Sequence, residues 1–314
     1  MGIGGPYGNW GEEELRSRLV ASFALAASFA VPQMAGAKSA ASLQPLGSWQ
    51  VDSTSERCRL SRQFGDAERP LHLLIDSYGS RSGFRVEVSG KSAPRPSGVS
   101  GTLTYRLSGK EDFGEGTKFL RGTSANGKAL WFSMWFLPPE MDFPELTQLT
   151  KKEYWASQAQ PETIVPDYER TTDEFTLRLA PGKTVSLNLG EMSQPLNDLR
   201  LCVDGLIKSW GRDPSVQREL TRRPIPDPSS VDKLQKSYPP EMLKQLRNAF
   251  VPVRIMVDAD GTATDCVIQR YTVDESFKGA ICDNLVSQFQ PALDADGKPV
   301  PSVFLTSVIF SINR

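Results

Sequence analysis

Histidine is almost absent from this sequence, which narrows the chemistry that the chain could carry. His72 is the single histidine among 314 residues. Imidazole is the side chain whose ordinary pKa suits proton transfer near neutral pH, so a Ser-His-Asp or Cys-His catalytic site would have to use His72. A zinc site built from several histidines is excluded. Because His72 lies within the apolar run Leu71–Ile75, we expect it to pack or to face the surface rather than to catalyse.

The sequence also lacks an excess of either charge. Lysine and arginine together number 36 and aspartate and glutamate 37, so the formal net charge is −1. Proteins that bind nucleic acids or anionic lipid surfaces usually present a clear excess of Lys and Arg. We therefore expect no nucleic-acid partner.

Acidic motifs are present but incomplete. Asp-Ala-Asp-Gly begins at Asp258 and again at Asp294, and neither copy has the further oxygen ligands and the downstream glutamate of an EF-hand loop. Asp76 belongs to a run, Leu74 to Ser80, that partly resembles the catalytic loop of aspartic proteases. Tyr78 interrupts that motif, and no second copy supplies the partner carboxyl group. We therefore expect turns at the first two motifs, and the sequence indicates no catalytic, metal-binding or cofactor-binding residue.

Long apolar runs are missing apart from one stretch near the N-terminus. The thirteen residues Leu19–Val31 would span only about 20 Å as a helix, against about 30 Å for the hydrocarbon core of a bilayer. Arg16 and Arg18 precede this stretch and small residues from Ala35 to Ala37 follow it, as in a secretory signal peptide. We predict a cleaved signal at residues 1–37 and a periplasmic location. The alternative is an uncleaved signal anchor in the inner membrane, which would be the protein's only membrane contact.

The chain is rich in short apolar runs bounded by Gly, Pro, Asn and Ser. Between Pro45 and Asp213 six such runs predict β-strands: Leu71–Ile75, Phe84–Val88, Gly101–Leu107, Ala129–Phe136, Phe175–Leu179 and Thr184–Leu189. Asn126-Gly127 predicts a hairpin turn. A closing helix is predicted from Ser193, as its cap, to Gly211. The spacing favours a β-sandwich or a curled sheet.

Residues 45–213 are thus predicted to form a mainly-β domain, and the proline-containing residues 214–236 an extended linker. In the run Ala129–Phe136, the tryptophans Trp131 and Trp135 fall on one face of the strand. We expect them to fill the core of the domain. The alternative is an exposed aromatic surface for a ligand or a protein.

The last stretch, residues 237–314, has its own order of elements. It predicts a short helix, a β-hairpin, an amphipathic helix and a final strand: Glu241–Asn248, Phe250–Val257 with Thr262–Gln269, Asp274–Gln288 and Val303–Ile312. Pro252 has no amide donor, which fits an edge position or an irregular start of its strand. Together these elements form a helix lying on a small, mostly antiparallel sheet.

Four cysteines are present: Cys58, Cys202, Cys266 and Cys282. They could pair in three ways, and sequence alone does not choose among them. Cys266 is on a predicted strand and Cys282 on the helix expected to cover that sheet, which favours a bridge between them and leaves Cys58 with Cys202. Such bridges are expected in an oxidising compartment.

The order of elements in residues 237–314 resembles the C-terminal domain of the TonB family. The matching residues are Tyr238-Pro239, Val253–Val257 with Asp260-Gly261, the helix containing Ala280, Phe289–Ala292, Asp296–Val300 and the closing strand. Two departures stand at Asn248–Phe250, where the family usually has a glycine, and at Arg270–Thr272, where it has Ser-Ser-Gly. The predicted fold class is α+β, a mainly-β domain followed by a TonB-like domain.

The resemblance implies a non-enzymatic periplasmic protein that binds a partner in the cell envelope, with an outer-membrane receptor and outer-membrane transport as candidates. TonB domains hold a short receptor segment, and a sheet edge offers backbone donors and acceptors to such a segment. The expected edge residues are Val303, Leu305, Ser307, Ile309 and Ser311. The chain lacks the histidine-bearing membrane helix and long proline-rich spacer of energy transducers, so an adaptor is favoured over a motor component.

Two other classes of function stay open. One is a periplasmic enzyme in the 45–213 domain, with Asp76 as its suggestive carboxylate. The other is an envelope structural protein whose terminal domain packs or dimerises. The sequence does not indicate the oligomeric state.

Overall fold

The structure, a computed structural model, describes residues 42–96, 98–109, 111–114, 116–138, 141, 153, 159–179, 183–245, 249–269, 275–285 and 288–310. The predicted signal at residues 1–37 and the predicted edge residue Ser311 lie outside the described residues. The chain from Ala40 onward belongs to one unit.

Nine strands with alternating or continuous apolar residues build the first sheet. They are β1 Pro45–Ser53, β2 Cys58–Asp66, β3 Arg69–Ser77, β4 Gly83–Gly90, β5 Ser100–Arg106, β6 Thr117–Ser124, β7 Gly127–Trp135, β8 Glu174–Leu179 and β9 Lys183–Asn188. All six predicted strands are among them. Gly127, at φ 101°, follows the β6–β7 turn where the Asn-Gly signal predicted a hairpin.

This sheet is antiparallel and curled. Its strand order is β1-β2-β3-β4-β7-β6-β5-β8-β9. Leu43, just before β1, forms a bridge with Leu187 of β9, and its amide donates to the Ser186 carbonyl at 2.8 Å. The two edge strands are therefore joined near one end, and the curled-sheet alternative is the one that the protein adopts.

Six helices are described, and the longest closes the curled sheet. They are α1 Pro166–Thr171, α2 Ser193–Ser209, α3 Pro214–Arg218, α4 Pro228–Gln235, α5 Pro240–Lys244 and α6 Glu275–Leu285. The apolar face of α2 shares one core with the inward-facing side chains of the sheet. Gly211 at φ 77° ends this helix region as predicted. Ser193 is the first helical residue rather than the cap.

A disulfide ties α2 to the sheet. Cys58 at the start of β2 bonds to Cys202 in α2, with 6.0 Å between their Cα atoms. This is one of the two predicted pairings. Because both cysteines lie in or against the core of the curled sheet, the bridge holds the closing helix against the first strands.

Residues 214–236 were expected to be an extended linker, and this prediction is wrong. The segment contains α3, the short strand β10 Ile225–Pro226 and α4. Asp213 and Asp227 cap the two helices by accepting amide hydrogen bonds from Ser215 and Ser229. Pro214 and Pro228, two of the prolines in this segment, begin helices, because proline suits the first helical position after an aspartate cap.

The last part of the chain forms a three-stranded antiparallel sheet. Its strands are β11 Ala249–Val257, β12 Ala263–Ile268 and β16 Ser302–Phe310, in the order β12-β11-β16. Three shorter strands complete the described set: β13 Phe289–Gln290, β14 Ala292–Leu293 and β15 Pro299–Val300. The second core contains Phe304 and Phe310 from this sheet and Phe277 and Ile281 from α6, so helix and sheet pack as predicted.

Pro252 lies in the central strand β11, not at an edge of the sheet. Pairing between β11 and β12 begins at Val253, one residue later, so the donor that proline lacks is missing just outside that ladder. The Pro252 carbonyl still accepts from the Gln269 amide at 2.9 Å. Proline is tolerated because it stands where the β12 pairing ends.

The second predicted disulfide joins Cys266 of β12 to Cys282 of α6, with 5.8 Å between the Cα atoms. It ties the helix to the sheet beneath it. Within the described part of the chain, no helix combines the length and apolar character needed to cross a membrane.

Candidate functional site: a cleft beside an open sheet edge

A cleft of about 530 Å³ lies between the curled sheet and strand β16. One wall comes from the ends of β4 and β7 and the turn between β3 and β4. The other wall is β16, from Val303 to Ile309, and residues 160–163 contribute to the lining. The volume falls in the range of ordinary ligand-binding clefts.

The backbone of β16 alternates between its β11 side and its outer side, as in any antiparallel strand. The amide of Val303 donates away from β11, to the side-chain oxygen of Gln217 at 3.3 Å. By alternation, the backbone groups of Leu305, Ser307 and Ile309 also point outward. No hydrogen bond to another described residue engages these groups. From Leu305 to Ile309, the outer edge of β16 is therefore left unpaired by the described part of the chain.

Four of the five predicted edge residues can be placed on this edge. Val303 is buried and its amide is already engaged by Gln217, so this end is covered. Leu305 is half-buried beside the β3–β4 turn. Ser307 and Ile309 are exposed. The accessible edge is thus shorter than the predicted one.

Apolar side chains surround the open part of the cleft. Trp135, Met141 and Ile309 line it and are 36%, 40% and 45% exposed. Trp135 was expected in the core, and this prediction is wrong. The residues of β7 that face the core are Leu130, Phe132 and Met134, which places the two tryptophans of the strand on the outer face.

The charged groups of the lining are held by other groups of the protein. Glu162 accepts hydrogen bonds from the Ser80 hydroxyl at 2.5 Å and the Arg81 amide at 2.9 Å, and lies 3.3 Å from the Arg223 guanidinium. The Arg85 guanidinium lies 3.4 Å from the ring centre of Phe250. Glu162 thereby connects the β3–β4 turn to Arg223.

Asp76, the residue of the protease hypothesis, is also in the lining. Arg59 holds its carboxylate with two hydrogen bonds of 2.6 and 2.8 Å, and Arg57 lies 3.7 Å away. Burial alone would lower the pKa of Arg59, but the hydrogen bond and the charge of Asp76 outweigh burial and raise that pKa. Among the described residues, arginines contact the Asp76 carboxylate, an arrangement suited to a structural ion pair rather than to two carboxyl groups sharing a proton.

The three-stranded sheet is fastened to the curled sheet beside the cleft. Arg254 of β11 makes two hydrogen bonds to Glu56, of 3.0 and 3.1 Å, and lies over the Trp210 ring at 4.8 Å. Gln269 donates to the Tyr78 carbonyl at 2.9 Å. These contacts set the separation of the two walls.

The remaining sequence motifs lie on a strand and in turns. His72 is half-buried on β3, opposite Gln63 and Ser89. Asp258 and Asp294 begin tight turns that end in glycines with positive φ, as predicted. In the described ranges no group of three or more His, Cys, Asp or Glu residues is placed to hold a metal ion.

Sequence reasoning missed the wall opposite β16. Ser80, Glu162 and Arg223 lie in turns and in a segment interpreted as a linker, where no periodicity marks a functional residue. The alternation of aromatic residues in β7 predicted a strand with aromatic side chains on both faces. It did not identify which face would be exposed.

No protein-family model, no curated protein and no solved structure matches this chain. The likeness of residues 237–314 to the TonB C-terminal domain therefore has no support from these comparisons.

Proposed function

We propose that this protein is a periplasmic, TonB-related binding protein that holds an extended segment of a cell-envelope protein by adding it as a strand to β16. The observation that carries the proposal is the outward backbone edge from Leu305 to Ile309, which borders the cleft. An added strand would satisfy these groups, and each backbone hydrogen bond contributes about 1 kcal/mol net.

Two features support the TonB-related and exported character that we propose. The terminal elements follow the order of helix, two strands, helix and strand that carries the resemblance to the TonB domain. The two disulfides fit an exported protein. An outer-membrane receptor is the partner that the resemblance favours, with this protein as an adaptor.

The proposal is tested by closing the edge at one backbone position. Ser307→Pro removes an outward amide and places a ring where the added strand would run, while the ladder to β11 keeps its hydrogen bonds because the Ser307 amide points away from β11. Ser307→Ala keeps the amide and serves as the matched control. A photoreactive residue at Ile309 reports the partner in living cells, and one at Leu201, exposed on α2, reports background.

We expect capture of one envelope protein from Ile309 and none of it from Leu201. Capture should fall at least about tenfold, equivalent to about 1.4 kcal/mol, with Ser307→Pro and stay unchanged with Ser307→Ala. Capture that is insensitive to the proline, or no capture at all, would contradict edge pairing. Capture of a second copy of this chain would favour the structural-protein alternative.

The enzyme hypothesis gains no support from the geometry of Asp76, because two arginines hold its carboxylate. We therefore propose a binding function for the cleft rather than a catalytic one. Undiminished capture of the partner by the Asp76→Asn variant would agree with this assignment.

A further inference from the structure

We infer that the cleft contains an anchor pocket, formed by Trp135, Met141 and Ile309, for one large apolar or aromatic side chain of an uncharged extended peptide. This inference rests on the proposed function and names the class of segment that β16 would accept. Seven large apolar residues are exposed in the described part of the chain, and three of them line this one cleft. Exposed apolar side chains gathered at a polar-rimmed cleft mark a binding surface.

The indole ring of Trp135 packs against the backbone of β4 at Gly83. Gly83 lies directly opposite Trp135 in the β4–β7 register, and a Cβ atom on Gly83 would be 3.0 Å from the indole nitrogen. The absence of a side chain at Gly83 lets the ring lie close to the β4 backbone. The Trp135 amide also donates to the Tyr105 hydroxyl at 3.2 Å. A positioned ring loses little conformational entropy on binding, which favours its use as an anchor.

Ile309 connects the anchor pocket to the sheet edge. Its backbone groups point outward with those of Ser307, and its side chain is 45% exposed at the cleft. In a paired strand, side chains of directly opposite residues lie about 5 Å apart between Cβ atoms. A peptide strand paired with β16 would therefore place one side chain beside Ile309, at the cleft that Trp135 also lines.

The charges of the lining indicate an uncharged occupant. The charged residues of the cleft are two acids and two bases: Asp76, Glu162, Arg85 and Arg223. Both carboxylates already have arginine partners. The formal charges of the lining therefore cancel, and a basic peptide side chain would be desolvated without a free carboxylate to receive it, which is unfavourable. Binding should accordingly depend only weakly on salt.

The test is a selection of random ten-residue peptides on the purified full-length protein, followed by affinity measurements on a selected peptide. We expect a shared position with a large apolar or aromatic residue and an affinity that changes less than about threefold between 50 and 500 mM salt. Trp135→Ala should weaken binding about 10- to 30-fold, and Trp135→Phe should restore most of the loss. Ile309→Ala, at an exposed position, gives an independent second variant.

The outcomes separate the anchor pocket from the proposed function. Peptides that require an open edge, and are therefore lost with Ser307→Pro, but share no apolar position or ignore both Trp135→Ala and Ile309→Ala, would overturn the anchor and leave strand addition intact. A charged, salt-sensitive consensus would also overturn the anchor. Failure to select any peptide, or binding unaffected by Ser307→Pro, would overturn strand addition and the anchor together.

Discussion

Single residues set how closely the two walls of the cleft approach each other. Gly79, in the turn after β3, has φ 111°, a backbone conformation that other residues rarely adopt. A Cβ atom there would be 2.9 Å from Leu305 and 3.0 Å from the Trp210 ring. The backbone at Gly79 and the side chain of Leu305 are therefore in direct contact. The edge of β16 becomes accessible only beyond it, toward Ser307.

The single histidine should make stability depend on pH. Burial lowers the pKa of His72, and the charge of Glu87 opposes this only in part. Below the ordinary histidine pKa of about 6.5, the unfolded chain binds a proton that the folded chain resists, so the folded state loses stability as pH falls from about 6.5 toward the lowered value. We expect His72→Gln to reduce the loss of unfolding free energy between pH 7 and pH 5.

Urea unfolding of both proteins across that pH range measures this effect. The difference between the two unfolding free energies should be constant above pH 7.5, where His72 is neutral in both states. Parallel curves down to pH 5 would show that His72 is as easily protonated in the folded protein as in the unfolded chain.

At the residue scale, sequence patterns predicted the partners of the cysteines but not the faces of the tryptophans. In the run Ala129–Phe136, large aromatics occupy both faces, so period-two alternation identifies a strand and leaves its orientation open. The orientation was decided by neighbouring strands. Phe132 stacks on Phe175 of β8 in the core, with ring centres 6.3 Å apart.

At the element scale, the two disulfides close loops of very different length. Cys58–Cys202 spans 144 residues and Cys266–Cys282 spans 16. In the chain-entropy description, the longer loop stabilises by about 5 kcal/mol and the shorter by about 3 kcal/mol, because each restricts the unfolded chain. The Cys58→Ala/Cys202→Ala double variant should therefore lose more unfolding free energy than Cys266→Ala/Cys282→Ala.

Hydrogen exchange adds a local readout to that comparison. Removing Cys266–Cys282 should speed exchange in α6, whose attachment to β12 it strengthens, and leave α2 protected. Equal losses of stability in the two double variants would show that strain or residual structure in the unfolded chain, rather than loop length, governs the effect.

The strands that were predicted carry long apolar runs, and the strands that were missed carry more polar residues between their apolar ones. In the curled sheet the missed strands were β1, β2 and β6. Strand β1, Pro45–Ser53, is exposed or half-buried along its whole length, so it carries no buried alternation that could mark it. Its ladder with β2 supplies the stability instead. Strand propensity depends on such neighbours, which a single sequence does not reveal.

At the scale of the whole molecule, the cleft could not be predicted because its walls come from segments far apart in the chain. The β3–β4 turn, residues 160–163 and β16 all line the cleft although they are far apart in the sequence. The expected extended linker at residues 214–236 gave no reason to bring the two parts of the chain together. Instead α3, β10 and α4 occupy residues 214–235, and β10 pairs with β13 of the terminal part.

Arg254 should couple the two sheets into one cooperative unit. Its side chain is 7% exposed, and it bridges Glu56 of the curled-sheet part to Asp265 of β12. Arg254→Ala leaves the Glu56 carboxylate, itself only 14% exposed, without this partner, which should cost about 2–4 kcal/mol of unfolding free energy. Lys298→Ala is the control, because its pair with Asp296 is more than 70% exposed on both sides and should change stability by less than about 0.5 kcal/mol.

Urea unfolding followed by circular dichroism measures the loss, and hydrogen exchange locates it. If Arg254 fastens the walls of the cleft, amides of β11 and β16 should exchange faster in Arg254→Ala while β3 and β4 keep their protection. Peptide binding should weaken as well, since Trp135 of β7 and the edge of β16 belong to different walls. A variant that loses stability uniformly and retains full peptide affinity would show that Arg254 supports the fold without setting the geometry of the cleft.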